Sequence, residues 1–302
     1  MLGLLGLDYG QGWAAHNVTM ECNMTPAPGS EQLRKAHAFQ ALHARAGAFI
    51  IPNPWDAGTA RILAFAGFEA LATTSAGLAF ALGRRDGAAT REEILANARD
   101  IVEATNLPVA ADLENGFGDS PAVVAETIGL AAATGLVGGS IEDATGDQEN
   151  PIYDFNFAIE RVAAAVEAAR SLNFPFTLTA RAENFLHGRA DLDDTIRRLQ
   201  AFEKAGANVL FAPGLPNLDA IREVCASVKH PVNAIANAAF TLRQLADAGA
   251  KRVSTGSAVS RTALQAVLDA AHEMKETGTF DYAKDIMSHA KANALMRPKN
   301  LT

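Results

Sequence analysis

Four times in this 302-residue chain a helical stretch closes on a glycine and passes at once into a short apolar run: Ala66-Gly67-Phe68, Thr134-Gly135-Leu136, Ala205-Gly206-Ala207 and Ala248-Gly249-Ala250. A glycine there supplies the left-handed residue that ends a helix without a Cβ penalty. The runs that follow are apolar without alternation, the pattern of parallel strands covered on both faces. Taken in order, strands read at residues 48–51, 70–74, from 109, 139–141, 176–180, 208–211, 232–235 and 252–255. Helices read at 31–46, 57–66, from Thr90, from Pro121 to Gly135, 157–171, 193–205, 218–227 and 241–248, with more helix towards the C-terminus. Thr90 with Glu93 three residues on makes a capping box. Residues 52–56 read as a loop rather than a helix start, and Ser75-Ala76-Gly77 as a small-residue turn. Eight strands alternating with helices predict an α/β fold, a (β/α)8 TIM barrel. An open doubly wound sheet is the alternative, but no Gly-rich dinucleotide fingerprint follows the first strand.

The expected organisation is a single barrel domain over residues 31–302, C-terminal helices included, behind a poorly ordered extension over residues 1–30. With 49% hydrophobic and 20% charged residues the chain can bury a large core. A net charge of −8 and the lack of a basic patch argue against a nucleic-acid partner. No run of eighteen apolar residues is present, so no membrane span is expected. The N-terminus lacks the basic and apolar regions of a leader peptide. Two distant cysteines, Cys22 and Cys225, suggest a reducing compartment and no disulfide framework. A cytoplasmic enzyme is the expectation.

In a barrel of this kind chemistry sits at the C-terminal strand ends. Those ends read Asn53 and Asp56, Thr74 and Ser75, Asp112 and Glu114, Glu142 and Asp143, then Arg181 with Glu183 and Asn184, Pro213, Asn233, and Thr255 with Ser257. The stretch from Val109 to Gly118 dominates. Its apolar run ends in Asp112 and Glu114, which on a strand point the same way. Together with Glu142, and with Asp86 from a nearby loop, these carboxylates would repel one another without a cation. A hard divalent ion suits such oxygen ligands; turn capping and pairing with arginines is the plainer role. Arg181 can grip a substrate carboxylate or an enolate oxygen, or else neutralise Glu142 or Glu183. Thr74, Ser75 and Ala76 offer hydroxyls and backbone N–H groups as a carboxylate cradle, or are ordinary punctuation. His187 can act as a general acid or base, or is an exposed loop histidine.

Together these segments resemble the isocitrate lyase/phosphoenolpyruvate mutase superfamily: Asp112-Leu113-Glu114-Asn115-Gly116-Phe117-Gly118, Ile141-Glu142-Asp143, Thr179-Ala180-Arg181, Leu82-Gly83-Arg84-Arg85-Asp86 and Asn53-Pro54-Trp55-Asp56. The resemblance implies a barrel whose last helix is swapped between subunits of a homotetramer, a dimer of helix-swapped dimers. It implies Mg²⁺, or Mn²⁺, near Asp86, Asp112, Glu114 and Glu142. A small carboxylate substrate would lie against Asn53, Trp55, Thr74, Ser75, Ala76, Asp86, Arg181 and Asn233, with Arg181, Glu142 and His187 as the catalytic groups. The chain also departs from the family. The lyases carry a Lys-Arg-Cys-Gly-His gate loop after the Glu-Asp strand end, and the phosphonate enzymes a lysine there. Here residues 144–154 hold no Cys, Lys or His and are acidic, and Ala212-Pro213 replaces a strand-six Glu.

The reading that survives is a Mg²⁺-dependent lyase or decarboxylase, cleaving a C–C bond in a small 2-oxo or 2-hydroxy (di)carboxylate through a metal-stabilised enolate. The alternatives are a phosphonate mutase or hydrolase, and a barrel that binds a 2-oxo acid with little turnover.

Overall fold

A computed structural model describes residues 29–297. The extension expected over residues 1–30 therefore lies, apart from Gly29 and Ser30, outside the described residues, as does Cys22. The elements run α1 (Ser30–Ala44), β1 (Phe49–Ile51), α2 (Ala57–Phe65), β2 (Leu71–Ala72), α3 (Ser75–Ala81), α4 (Arg91–Ala104), β3 (Val109–Asp112), α5 (Pro121–Ala133), β4 (Gly138–Glu142) and α6 (Phe155–Arg170). They continue with β5 (Thr177–Arg181), α7 (Leu192–Ala205), β6 (Val209–Phe211), α8 (Leu218–Ser227), β7 (Val232–Ile235), α9 (Leu242–Asp247), β8 (Arg252–Ser254), α10 (Ala258–Glu276) and α11 (His289–Met296).

Local chemistry accounts for most of these boundaries. Side chains of Asp56, Thr90, Ser120, Asp191, Asn217 and Thr241 each accept an N–H from the first turn of the helix that follows. Such a cap contributes about 1 kcal/mol. Gly67, Gly135, Gly206 and Gly249 all have φ between 90° and 108°, the left-handed turn that the repeated junction requires.

All strand pairs are parallel, and the sheet runs β1-β8-β7-β6-β5-β4-β3-β2. This is the expected (β/α)8 barrel. Between β1 and β2 there is no ladder. That seam is closed by Ala72 N–H donating to Pro52 O at 3.1 Å and by Asn53. The Asn53 amide donates to Thr73 O at 2.9 Å, and its Oδ1 accepts from Thr255 N at 2.9 Å and Gly256 N at 3.0 Å.

The main core lies between the strands and the helix ring, built around Leu71, Ile101, Leu113, Ile128, Leu178 and Phe202. A second cluster joins α1 to the lower ends of the strands through Phe39, Phe49, Ala70 and Val137. Helix α1 thus plugs the barrel floor, tied down by Gln32 to the carbonyls of Ala132 and Leu136 and by Lys35 to that of Thr105. Helix α10 is different: Ser260 is its only buried residue, and Leu264, Val267 and Leu268 face outwards. Among the described residues no helix is long and apolar enough to cross a membrane.

Three local expectations need correction. Ser75-Ala76-Gly77 is not a turn but the start of α3, with Thr74 as N-cap accepting from Gly77 N. Asp56 belongs to a helix start, because Thr59 N and Oγ1 both donate to its Oδ1, at 2.7 and 2.8 Å. Asp112 and Glu114 do not share a strand: β3 ends at Asp112, and Glu114 sits at φ 48°.

Candidate active site

A cavity of about 770 Å³ opens at the C-terminal strand ends. Strand β3 delivers Asp112 to it. Asp112 N–H donates to Thr73 Oγ1 at 3.0 Å, and Asp112 Oδ2 accepts from Ser75 Oγ at 2.7 Å and Ser75 N at 3.3 Å. The first residue of α3 therefore serves the carboxylate directly, while the Gly77 N–H is taken by the Thr74 hydroxyl that caps the helix. Glu114 reaches the same space through its left-handed backbone, a conformation a non-glycine residue adopts at some cost.

Strands β4 and β5 bring Glu142 and Arg181 side by side, paired in register. The guanidinium is shared three ways. Nη1 lies 2.9 Å from Asp112 Oδ1, Nη2 3.0 Å from Glu142 Oε2, and Nε 2.9 Å from Glu183 Oε1. Burial works against the charge on Arg181, but Glu142, Glu183 and Asp112 more than offset it and hold its pKa well above the usual value. Beneath this cluster Asp143 Oδ1 accepts Glu183 N–H at 2.8 Å, and Arg198 Nη1 binds Asp143 Oδ2 at 3.0 Å. That buried pair fixes where Glu183 stands.

The acids carry more charge than Arg181 compensates. Burial, then Asp112 and Asp86, pushes the Glu114 carboxyl up to about 7. Burial likewise raises Glu142, only partly opposed by Arg181, and raises Asp86, helped by Asp112. Glu114 Oε1 is buried with no hydrogen-bond partner, the mark of a group that awaits a cation or a donor. The donor set is all oxygen, suited to a hard ion such as Mg²⁺ or Mn²⁺ that keeps several waters and few direct carboxylates. Among the described residues no three His, Cys, Asp or Glu side chains already stand in ligand positions, and Arg181 lies between Asp112 and Glu142.

Of the residues expected from sequence, Asn53, Thr74, Ser75, Ala76, Asp86, Asp112, Glu114, Glu142, Arg181, His187 and Asn233 all line this cavity. His187 Nε2 stands 4.0 Å from Glu183 Oε2. Trp55 does not line it: its backbone carbonyl binds Asn97, and its Cβ packs against Gly77. Asn53 lines it but commits its amide to the β1–β2–β8 seam. Asn233 is engaged too, donating to Ser254 Oγ at 2.9 Å and accepting from Arg252 Nε at 2.8 Å. The sequence reading missed Thr73, Arg198 and Arg252, and named Thr179 only within the Thr179-Ala180-Arg181 segment without a role of its own. Arg252 left no clear signal, since it opens a three-residue strand, Arg252-Val253-Ser254, that is mostly polar.

The gate loop after β4 is a small hairpin. Ala144 bridges Ile152, Thr145 N–H donates to Pro151 O, and Tyr153 N–H closes its base on Asp143 O at 2.8 Å. Ala144, Thr145 and Gly146 face the cavity.

The fold and rim define a parallel (β/α)8 barrel that carries its polar groups at the C-terminal strand ends. Residues 39–275 match the phosphoenolpyruvate phosphomutase family. The chain belongs to this family, within the isocitrate lyase/phosphoenolpyruvate mutase superfamily, whose members include carbon–carbon lyases and phosphonate mutases and hydrolases. A solved Burkholderia cenocepacia J2315 structure, provisionally described as a lyase/mutase, is 57% identical. It superposes with a TM-score of 0.86, covering 87% of this chain and 96% of that one. An uncharacterized Mycobacterium tuberculosis protein is 30% identical over 241 residues, 79% of this chain and 89% of its own. The 2-methylisocitrate lyase of Escherichia coli K12 is 29% identical over 203 residues, 65% of this chain and 67% of its own.

Proposed function

We propose that this protein is a metal-dependent carbon–carbon lyase or decarboxylase acting on a small 2-oxo or 2-hydroxy carboxylate. The observation that carries the reading is the surplus of carboxylate at the barrel mouth, where Glu114 Oε1 lies buried without a partner beside Asp112. Mg²⁺ or Mn²⁺ held there by Asp112 and Glu114, with Asp86 and Glu142 around it, would supply Lewis-acid stabilisation of an enolate. Ser75 fixes the rotamer of Asp112, and Thr73 anchors its backbone N–H. Arg181 has five N–H donors, of which three are committed to carboxylates, so two remain to hold a substrate oxyanion. Glu142 stays paired with Arg181, and the proton returned to a carbanion would come from His187, at the rim 4.0 Å from Glu183 Oε2, or from water. The kinship with 2-methylisocitrate lyase supports C–C cleavage, and the acidic gate loop around Asp147 and Glu149 works against a phosphonate substrate.

The test is release of a 2-oxo acid from oxaloacetate, isocitrate, methylisocitrate, dimethylmalate and phosphonopyruvate, with and without chelator, with Asp112→Ala as control. Metal-dependent turnover of a carboxylate, abolished in the variant, supports the reading. Turnover of phosphonopyruvate alone would move it to P–C chemistry, and tight binding without turnover to a 2-oxo acid receptor. A cytoplasmic homotetramer with swapped C-terminal helices belongs to the same proposal. The outward Leu264, Val267 and Leu268 of α10 support it, and sedimentation of the full chain measures it.

A further inference from the structure

The cavity does not end at the carboxylates. Barrel interiors of this class are usually filled by layers of branched side chains. Here the positions beneath the mouth are small or polar: Ala110, Ser140, Thr179, Asn233 and Ser254 all line the same cavity, and Arg252 lies at its depth. Arg252 opens β8, just above the floor made by α1, and is 6% exposed.

Its partners are all neutral. Nε donates to Asn233 Oδ1 at 2.8 Å, Nη2 to Thr179 Oγ1 at 3.0 Å, and Nη1 lies 3.4 Å from His43 Nε2. Among the described residues no carboxylate pairs with it, in contrast to the half-buried Arg181 and the buried Arg198. Of its five N–H groups these contacts use three, leaving one on each terminal nitrogen. A buried cation without a counter-anion is costly unless something supplies the charge. Burial draws its pKa down to about 9, so the guanidinium is still charged at neutral pH.

The depth fits a second anionic group. Thr179 lies two residues below Arg181 on β5, about 7 Å at a strand's rise. Thr179 is also in register with Ser140, and Ser140 with Asp112. A molecule with one end at Arg181 and a carboxylate two residues deeper along β5 therefore reaches the Arg252 guanidinium beside Thr179. Because the guanidinium itself reaches up to Thr179, the ligand proposed is a dicarboxylate of four or five carbons.

We propose that Arg252 is the seat of the substrate's distal carboxylate, which makes the protein selective for 2-oxo or 2-hydroxy dicarboxylates over their monocarboxylate counterparts. Asn233, Thr179 and His43 are positioning residues that aim the guanidinium. The assignment rests on the reading of the mouth as the reacting end.

The test is binding by calorimetry to the full chain in Mg²⁺, using oxalate, malate and lactate. Oxalate is too short to span both layers and reports on the mouth alone. Wild-type protein should bind malate at least tenfold tighter than lactate. In Arg252→Gln, malate affinity should fall about 10- to 100-fold further than oxalate affinity, the span expected for a buried charge-assisted contact. Equal wild-type affinities for malate and lactate, or equal losses for malate and oxalate in the variant, would overturn the assignment. If Arg252→Gln fails to fold, the wild-type comparison decides alone. Absence of Mg²⁺-dependent oxalate binding in wild type would refute the proposed metal site instead, and the malate-to-lactate ratio would still judge Arg252.

Discussion

Replacing His43 by glutamine isolates one titration at the barrel floor. His43 Nδ1 lies 2.8 Å from Phe39 O, so that nitrogen carries the hydrogen and Nε2 is left as an acceptor facing Arg252. The rings of Phe39 and Phe49 stand edge-on to the imidazole, with centroids 4.7 and 5.1 Å away. Burial first, then the charge of Arg252 and more weakly that of Lys251, hold its pKa down to about 3 against the ordinary 6.5, with the Phe39 carbonyl opposing them. The unfolded chain takes up a proton as pH falls through 6.5; the folded ring does not until about pH 3. Stability is therefore intact above that upper value and declines below it, by about 1.4 kcal/mol per pH unit. At roughly pH 4.5 the penalty reaches about 2.7 kcal/mol. A glutamine can donate to Phe39 O and accept from Arg252 without titrating. Urea unfolding of both proteins at roughly pH 7 and 4.5 reads the effect, because titrations common to both cancel in the difference. The variant should gain about 2.7 kcal/mol on wild type between the two pH values. Parallel stability curves, within about 0.5 kcal/mol, would refute the buried neutral imidazole.

Other sites make separate predictions. Arg181→Met leaves Asp112, Glu142 and Glu183 without their cation, so the variant should lose about 3–5 kcal/mol, or roughly 6–15 °C in Tm. Added Mg²⁺ should raise its melting temperature more than that of wild type, as thermal denaturation across a Mg²⁺ series would show. Ser75→Ala removes the 2.7 Å donor to Asp112 and should weaken Mg²⁺ affinity about 10- to 100-fold, read from metal titration of oxalate binding. Asn53→Ala unties the seam between β1 and β2 and strands several buried polar groups. It should cost about 3 kcal/mol, seen as a lower urea midpoint at unchanged slope.

The frame was legible in the sequence because its signals are local. Gly67, Gly135, Gly206 and Gly249 need a left-handed backbone whatever the rest of the chain does, and Thr90 with Glu93 caps its helix from three residues away. The rim acids were legible because they end strands. Helix α3 was not: seven small or apolar residues carry no periodicity, and its start depends on Thr74 folding back onto Gly77. Asp112 and Glu114 were read correctly as neighbours for the wrong reason, since a left-handed turn and not strand alternation aims Glu114. Thr179, Asn233 and Arg252 could not be seen as a layer, because that layer exists only once eight strands close with one particular stagger.

The hairpin after β4 has a consequence for the energetics of substrate capture. Many barrels fold a mobile loop over their ligand and lose binding energy to ordering it. Here the bridge between Ala144 and Ile152 and the bond from Tyr153 to Asp143 order the segment during folding itself. Little conformational entropy is then left to lose when a ligand arrives. Substitutions at its tip, around Asp147 and Glu149, should alter which anions are admitted and how fast they enter, while leaving the tightness of a fitting ligand nearly the same.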